Sequence, residues 1–245
     1  VCPPVLGEAA APGETRVRTL ETAIHGRYLL RPAAEIGAAP DGAAPLVVGF
    51  HGYAETAAAS LEALESVPGL RGWHVVAVQA LNRFYTRSGA IAAGWMTRED
   101  RELAIADNVA WVDRVVAAVR GEVRVAGPVV VSGFSQGTCM AWRAAALALD
   151  DCAGVIALGG DVPPELADAE WRSHPRALIG RGDSDTWYTA EKQQADLALL
   201  AGVGGGTGLE AELCEFAGGH EWTDAFRQAA GEFLAERRSQ AQETS

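Results

Sequence analysis

From residue 45 onward the sequence alternates between short apolar runs and stretches with helical spacing, and this alternation constrains the fold more than any other feature. Leu46–Phe50, His74–Val78, Pro128–Ser132, Val155–Leu158 and Ala177–Ile179 read as buried strands, and Leu209–Phe216 adds another. Within Glu99–Val119 the residues Leu103, Ala106, Val109, Ala110, Val112, Val116 and Val119 recur at helical spacing. Further helices are predicted over Gln136–Leu149, Ala190–Leu200 and Thr223–Arg237. Repeated strand–helix alternation buries both faces of a mostly parallel sheet under helices, so the expected class is α/β. Upstream, Arg16–Arg31 alternates well enough to predict a hairpin turning near His25-Gly26. Residues 1–14, rich in Pro, Gly and Ala, read as a loose lead-in to one domain spanning 15–245.

Composition narrows the function classes. A chain of 245 residues buries about 70% of its unfolded surface, enough core to need no disulfide or metal. Hydrophobic residues at 49% and charged residues at 21% argue against disorder. The net charge of −12 argues against nucleic acid and anionic lipid as partners, because phosphate contacts need clustered Lys and Arg. No apolar run reaches the roughly 18 residues of a membrane span. Cys2, Cys139, Cys152 and Cys214 are scattered without a CxxC, and the sequence leaves their pairing open. No basic-then-apolar segment opens the chain at Val1, which makes the cytoplasm the default expectation. No two histidines have metal-ligand spacing, so no metal is expected.

The strongest local signal is Gly133-Phe134-Ser135-Gln136-Gly137, between the strand Pro128–Ser132 and the helix after it. Glycines flanking the serine allow a sharp strand-to-helix turn that lifts the hydroxyl above the sheet, at the positive end of the helix. Such a serine is a candidate nucleophile. It needs a base oriented by a third group, and in this architecture the chain order is serine, acid, histidine. His220, in Ala217-Gly218-Gly219-His220-Glu221-Trp222, is the one histidine that follows both Ser135 and a suitable acid. The acid belongs at the end of Ala177–Ile179, where Asp183 and Asp185 both qualify by position. Two backbone N–H donors for an oxyanion are expected from Gln136 and from Tyr53, in the loop Phe50–Glu55. His51 then shapes that loop and is not the base. Trp95, Trp187 and Trp222 follow strands and are candidate pocket residues, with Phe84 and Tyr85 behind them. The glycine run 202–208 lacks a P-loop lysine and reads as a connection, and Lys192, the only lysine, has no catalytic context.

The segments VVGFHGYAET, GFSQG, RGDSDTWY and GGHEW, in this order, resemble the phospholipase/carboxylesterase group of α/β-hydrolases from about Leu46 to Leu234. The resemblance implies an α/β-hydrolase fold without a large lid and a serine hydrolase acting on small-molecule carboxylic esters or thioesters, with no cofactor. Its G-x-x-D-x-x-V acid motif falls on Gly182–Tyr188 and selects Asp185. The stretch Gly94-Trp95-Met96 is similar to a Trp-Phe segment near the family's acyl site. Tyr188 stands where the family has an aliphatic residue, a change expected at the rim of the site and so bearing on substrate choice more than on the reaction. A dienelactone-hydrolase-like enzyme shares the fold but uses a cysteine where this chain has Ser135. An inactive hydrolase fold serving as a binding module would have lost part of the serine–acid–histidine set.

Overall fold

The computed structural model describes residues 15, 17–34, 42–203 and 208–243. The lead-in 1–14 with Cys2 and the centre of the glycine run lie outside them. One seven-stranded sheet organises the chain, in the order β1-β3-β2-β6-β7-β8-β9. Its strands are β1 (Tyr28–Arg31), β2 (Ala44–Phe50), β3 (His74–Val78), β6 (Val125–Phe134), β7 (Cys152–Leu158), β8 (Arg176–Gly182) and β9 (Ala211–Phe216). Only β1 runs antiparallel to its neighbour, β3, and the other pairings are parallel. The α/β class read from the alternation is the class observed.

Alternate residues of the central strands feed two cores, one on each side of the sheet. Val47, Val75, Val130, Ile156 and Leu178 face α1 (Ala57–Glu65) and α5 (Asp224–Glu243) through Leu64, Phe226, Phe233 and Leu234. Leu46, Val48, Val76, Val129, Val131 and Val155 face α2 (Arg101–Glu122), α3 (Gln136–Arg143) and α4 (Ala190–Gly202). A strand apolar on both faces cannot alternate with polar residues, which is why these segments appear in the sequence as unbroken apolar runs.

Several expectations need correction. Among the described residues of Arg16–Arg31, which begin at Val17, no hairpin forms: the open edge of β3 gives Tyr28–Arg31 a ladder partner, while Val17, Leu20 and Ile24 are exposed. The stripe assigned to α2 is misplaced at its start: Leu103 is exposed, and the buried residues are Asn108, Val112, Val115, Val116 and Val119. Asn108 is buried because its amide donates to the Trp95 carbonyl (2.8 Å) and to the Ala104 carbonyl (2.7 Å). The helix expected through Leu149 is α-helical to Arg143 and widens into a π-turn over Ala144–Ala148, with Leu149 N–H bonded to the Ala144 carbonyl. Two elements were not foreseen, α1 and the hairpin of β4 (Asn82–Tyr85) with β5 (Ile91–Gly94).

Candidate active site

The carboxyl ends of β2, β6, β7, β8 and β9 lie at one edge of the sheet, the edge where open α/β folds place their sites. Ser135 sits between β6 and α3 with φ 54° and ψ −121°, a conformation L-residues rarely hold. Crowding holds it there. A Cβ at Gly137 would overlap the Phe50 carbonyl, one at Gly133 would overlap the Gly137 backbone, and one at Gly160 would overlap the Ser135 carbonyl. The Ser135 N–H donates to the Leu158 carbonyl at 2.9 Å, and the Thr138 hydroxyl, buried beneath, reaches the Gly133 and Leu158 carbonyls.

His220 reaches this turn from the loop after β9. Its Nδ1 lies 2.8 Å from Asp185 Oδ2, and its ring centroid is 5.0 Å from that of Phe134, the residue before Ser135. Gly159 supplies the floor: at φ +65° its missing Cβ would sit 3.0 Å from His220 Cε1 and 3.5 Å from Asp185 Oδ2. The other Asp185 oxygen accepts from the N–H groups of Trp187 (2.7 Å) and Tyr188 (3.0 Å). Burial pushes the Asp185 pKa up, but those N–H groups and the His220 ring outweigh it and hold the carboxyl below its ordinary range. An ionised Asp185 keeps the His220 proton on Nδ1 and leaves Nε2 free to accept one.

Asp183 does other work. Its Oδ1 accepts from the Gly218 N–H at 3.1 Å, its own N–H donates to the Phe216 carbonyl at 2.9 Å, and Ser184 Oγ donates to the Gly218 carbonyl at 2.6 Å. These bonds lash the loop carrying Asp185 to the loop carrying His220.

The loop after β2 is fixed from below. His51 is buried, with Nδ1 2.7 Å from the Gly52 carbonyl and Nε2 accepting from the Ala80 N–H at 3.1 Å. Burial lowers its pKa against the Gly52 bond, so the ring stays neutral and serves as a loop brace. Glu55 accepts from the Gly52 N–H at 2.7 Å. The Tyr53 N–H takes no partner among the described residues, and the Gln136 N–H opens α3, where helical N–H groups lack intrahelical acceptors.

The three tryptophans separate. Trp187 is 73% exposed, its ring 6.5 Å from that of His220. Trp222 packs edge-on to Phe226 and lines a cavity of about 40 Å³ with His51, Ser60, Ser132 and Phe134. Trp95 is 0% exposed and is not a pocket residue. The β4–β5 hairpin tucks its ring against Phe50, its indole N–H donates to the His51 carbonyl at 2.8 Å, and its backbone N–H donates to Gln136 Oε1 at 2.8 Å. It supports the loop from inside. Tyr188 is likewise buried, 1% exposed, and not at the rim. Tyr53 is 61% exposed and stacks on Phe84 at 5.6 Å. Gly159, Gly160, Glu55 and the Gln136 side chain had no part in the sequence reading. Only the Gly-Gly pair directly after a buried strand offered a signal.

Among the described residues no three His, Cys, Asp or Glu side chains are grouped to hold a metal, and no helix is long and apolar enough to cross a membrane. Cys139, Cys152 and Cys214 are unpaired.

Solved structures supply the comparison. Esterase PE8 superposes with a TM-score of 0.67 at 25% identity, over 87% of this chain and 100% of that one. The chain has the α/β-hydrolase fold of the phospholipase/carboxylesterase group. A Bacillus cereus carboxylesterase matches it at TM-score 0.65 and 14% identity, over 86% of this chain and 94% of that one. Zea mays acyl-protein thioesterase 2 matches at TM-score 0.63 and 15% identity, over 87% and 99%. No family model matches the sequence, and a search of curated proteins finds no match.

Proposed function

We propose that this α/β-hydrolase-fold chain is a serine esterase that cleaves carboxylic esters through an acyl-Ser135 intermediate. The observation that carries the reading is the strained Ser135 at the strand–helix turn, with the His220 ring packed on Phe134, the residue before it, and bound to a buried, ionised Asp185. Ser135 Oγ attacks the ester carbon while His220 Nε2 takes its proton, and the carbonyl oxygen becomes an oxyanion held by the Tyr53 and Gln136 N–H groups. The same proton passes to the leaving alkoxide as the ester bond breaks. Water then attacks the acyl-enzyme, giving a proton to His220, which passes it to Ser135 Oγ as the acyl–oxygen bond breaks, so that the carboxylic acid leaves and the serine is regenerated. Asp185 stays ionised throughout and stabilises the imidazolium.

A cysteine-nucleophile chemistry has no support, since Cys139 is off the turn and burial pushes its thiol up to about 11. The exposed rings of Tyr53 and Trp187 and the net charge of −12 favour neutral aryl or short-chain esters over esters with a free carboxylate. The test is Ser135→Ala assayed on nitrophenyl esters of increasing chain length and on one carboxylate-bearing ester. Turnover should fall at least about 10³-fold with the fold intact, and a fluorophosphonate should label only the parent protein. A well-folded variant with undiminished turnover refutes the esterase. No turnover and no labelling in the parent would leave a binding module.

A further inference from the structure

We propose that Tyr188 and Asp196 form a positioning pair that holds the Asp185 carboxylate against His220, with Asp196 acting on turnover from a place that touches neither substrate nor triad. The inference rests on the reading of Ser135, His220 and Asp185 given above. The bonds that aim Asp185 come from backbone: Trp187 and Tyr188 N–H both donate to Oδ1, which leaves Oδ2 for His220. The aim therefore depends on where residues 187 and 188 sit. The Trp187 ring is exposed, whereas the Tyr188 ring is buried and its hydroxyl donates to Asp196 Oδ2 at 2.9 Å.

Asp196 lies on α4 and is 6% exposed. The same helix reaches the loop that puts Gly159 under His220 and Gly160 against the Ser135 carbonyl through Lys192, which pairs with Asp161 at 3.3 Å. Two residues one turn apart on α4 thus tie the loops after β7 and β8 to a single helix. For stability alone an apolar pair would serve better, since a buried carboxylate costs more to desolvate than its bonds return. A phenylalanine and a leucine would fill the same space. The tyrosine and aspartate retain what an apolar pair lacks, a directional bond that fixes where residue 188 sits.

The charge around the pair is mixed. Tyr188 faces Asp196 from the acid loop, Asp161 from the loop after β7, Lys192 from α4 and Cys139 from α3, while Arg181 on β8 bears on the Tyr188 hydroxyl. Burial raises the Asp196 pKa, and Asp161 adds to it. The Val162 N–H, the Tyr188 hydroxyl and Lys192 oppose, and the result is about 6. Above that pH the Tyr188 hydroxyl donates to a carboxylate, a stronger bond than to a neutral acid.

The experiment compares the full chain with Tyr188→Phe, Asp196→Asn and the double variant, with folding checked by near-UV circular dichroism. Three quantities are read: kcat and KM against pH, the melting temperature, and the low-field proton resonance of the His220 Nδ1–H. At pH 8 each single variant should lose about 5- to 10-fold in kcat with KM nearly unchanged, and the low-field resonance should move. The double variant should be no worse than either single, as for groups acting as a unit. Asp196→Asn imitates the neutral acid, so its deficit should shrink toward none as pH falls below about 6. Changes confined to melting temperature, with kcat and the resonance unmoved, overturn the pair and leave the esterase standing. If the parent protein hydrolyses nothing yet the resonance moves in both singles, the esterase reading falls and the positioning stands. A resonance absent from the parent, or unmoved without turnover, counts against the pair.

Discussion

The conformation of Ser135 makes a prediction about stability that does not involve chemistry. At φ 54° and ψ −121° the residue lies outside the regions open to side chains, and such a position costs on the order of 1–3 kcal/mol. Glycine adopts it freely. Ser135→Gly should recover that cost, less about 0.4–1 kcal/mol for the added freedom of the unfolded chain. Ser135→Ala keeps the Cβ and therefore keeps the strain. The Ser135 hydroxyl has no hydrogen-bond partner among the described residues, so neither variant forfeits a bond. The net difference spans about 0–2.6 kcal/mol in favour of glycine, centred near 1.3 kcal/mol. For a chain of this size each kcal/mol moves the melting temperature by roughly 2–4 °C, so Ser135→Gly should melt about 3–5 °C above Ser135→Ala. Differential scanning calorimetry on both variants, each confirmed inactive on a nitrophenyl ester, makes the comparison. If glycine melts at or below alanine, the turn is not strained, and the crowding of Gly133, Gly137 and Gly160 does not force the serine outward.

Two further outcomes follow from the carboxylates. Asp185→Asn should lower kcat up to about 10⁴-fold by favouring the wrong imidazole tautomer, whereas Asp183→Asn should cost on the order of 1 kcal/mol of stability and little turnover; the opposite ranking in kcat would make Asp183 the acid. Asp196 is held at about 6 in the fold against an ordinary 3.8, so the native state binds the extra proton and stability falls as pH rises from about 4 to 6. The ceiling on that loss is about 3 kcal/mol, and roughly half after allowance for solvent screening, so Asp196→Asn should gain on the parent in urea melts at pH 8 but not at pH 4.

How much of this could be read in the chain depended on whether a residue's partner was implied by position. The central strands were legible because burial on both faces leaves no polar alternation to confuse them, and each appeared within a few residues of its place. Helix α1 was not legible: AAASLEALE offers small residues, and only Ala57, Ser60 and Leu64 are buried. The β4–β5 hairpin was missed because Asn82–Tyr85 carries only one alternation, although Ser88-Gly89, with Gly89 at φ 81°, marks its turn. Ser135 and His220 could be named because a strand end followed by glycines dictates where a side chain goes. Their geometry could not, since Gly159 meets His220 across 61 residues of sequence.

The misread positions share a cause. Trp95 and Tyr188 follow strand ends, where the sequence suggests a rim, but each has a buried polar atom that is met by a distant partner: the His51 carbonyl for Trp95, Asp196 for Tyr188. In isolation Asp196 looks like one more charge on the wet side of a helix. The tyrosine at residue 188 brings a hydroxyl into the core, and a buried hydroxyl requires an acceptor. Once that hydroxyl is placed, the carboxylate on α4 becomes intelligible as its counterpart. The tyrosine and the aspartate are then one feature of this chain, the hydroxyl of one answered by the carboxylate of the other.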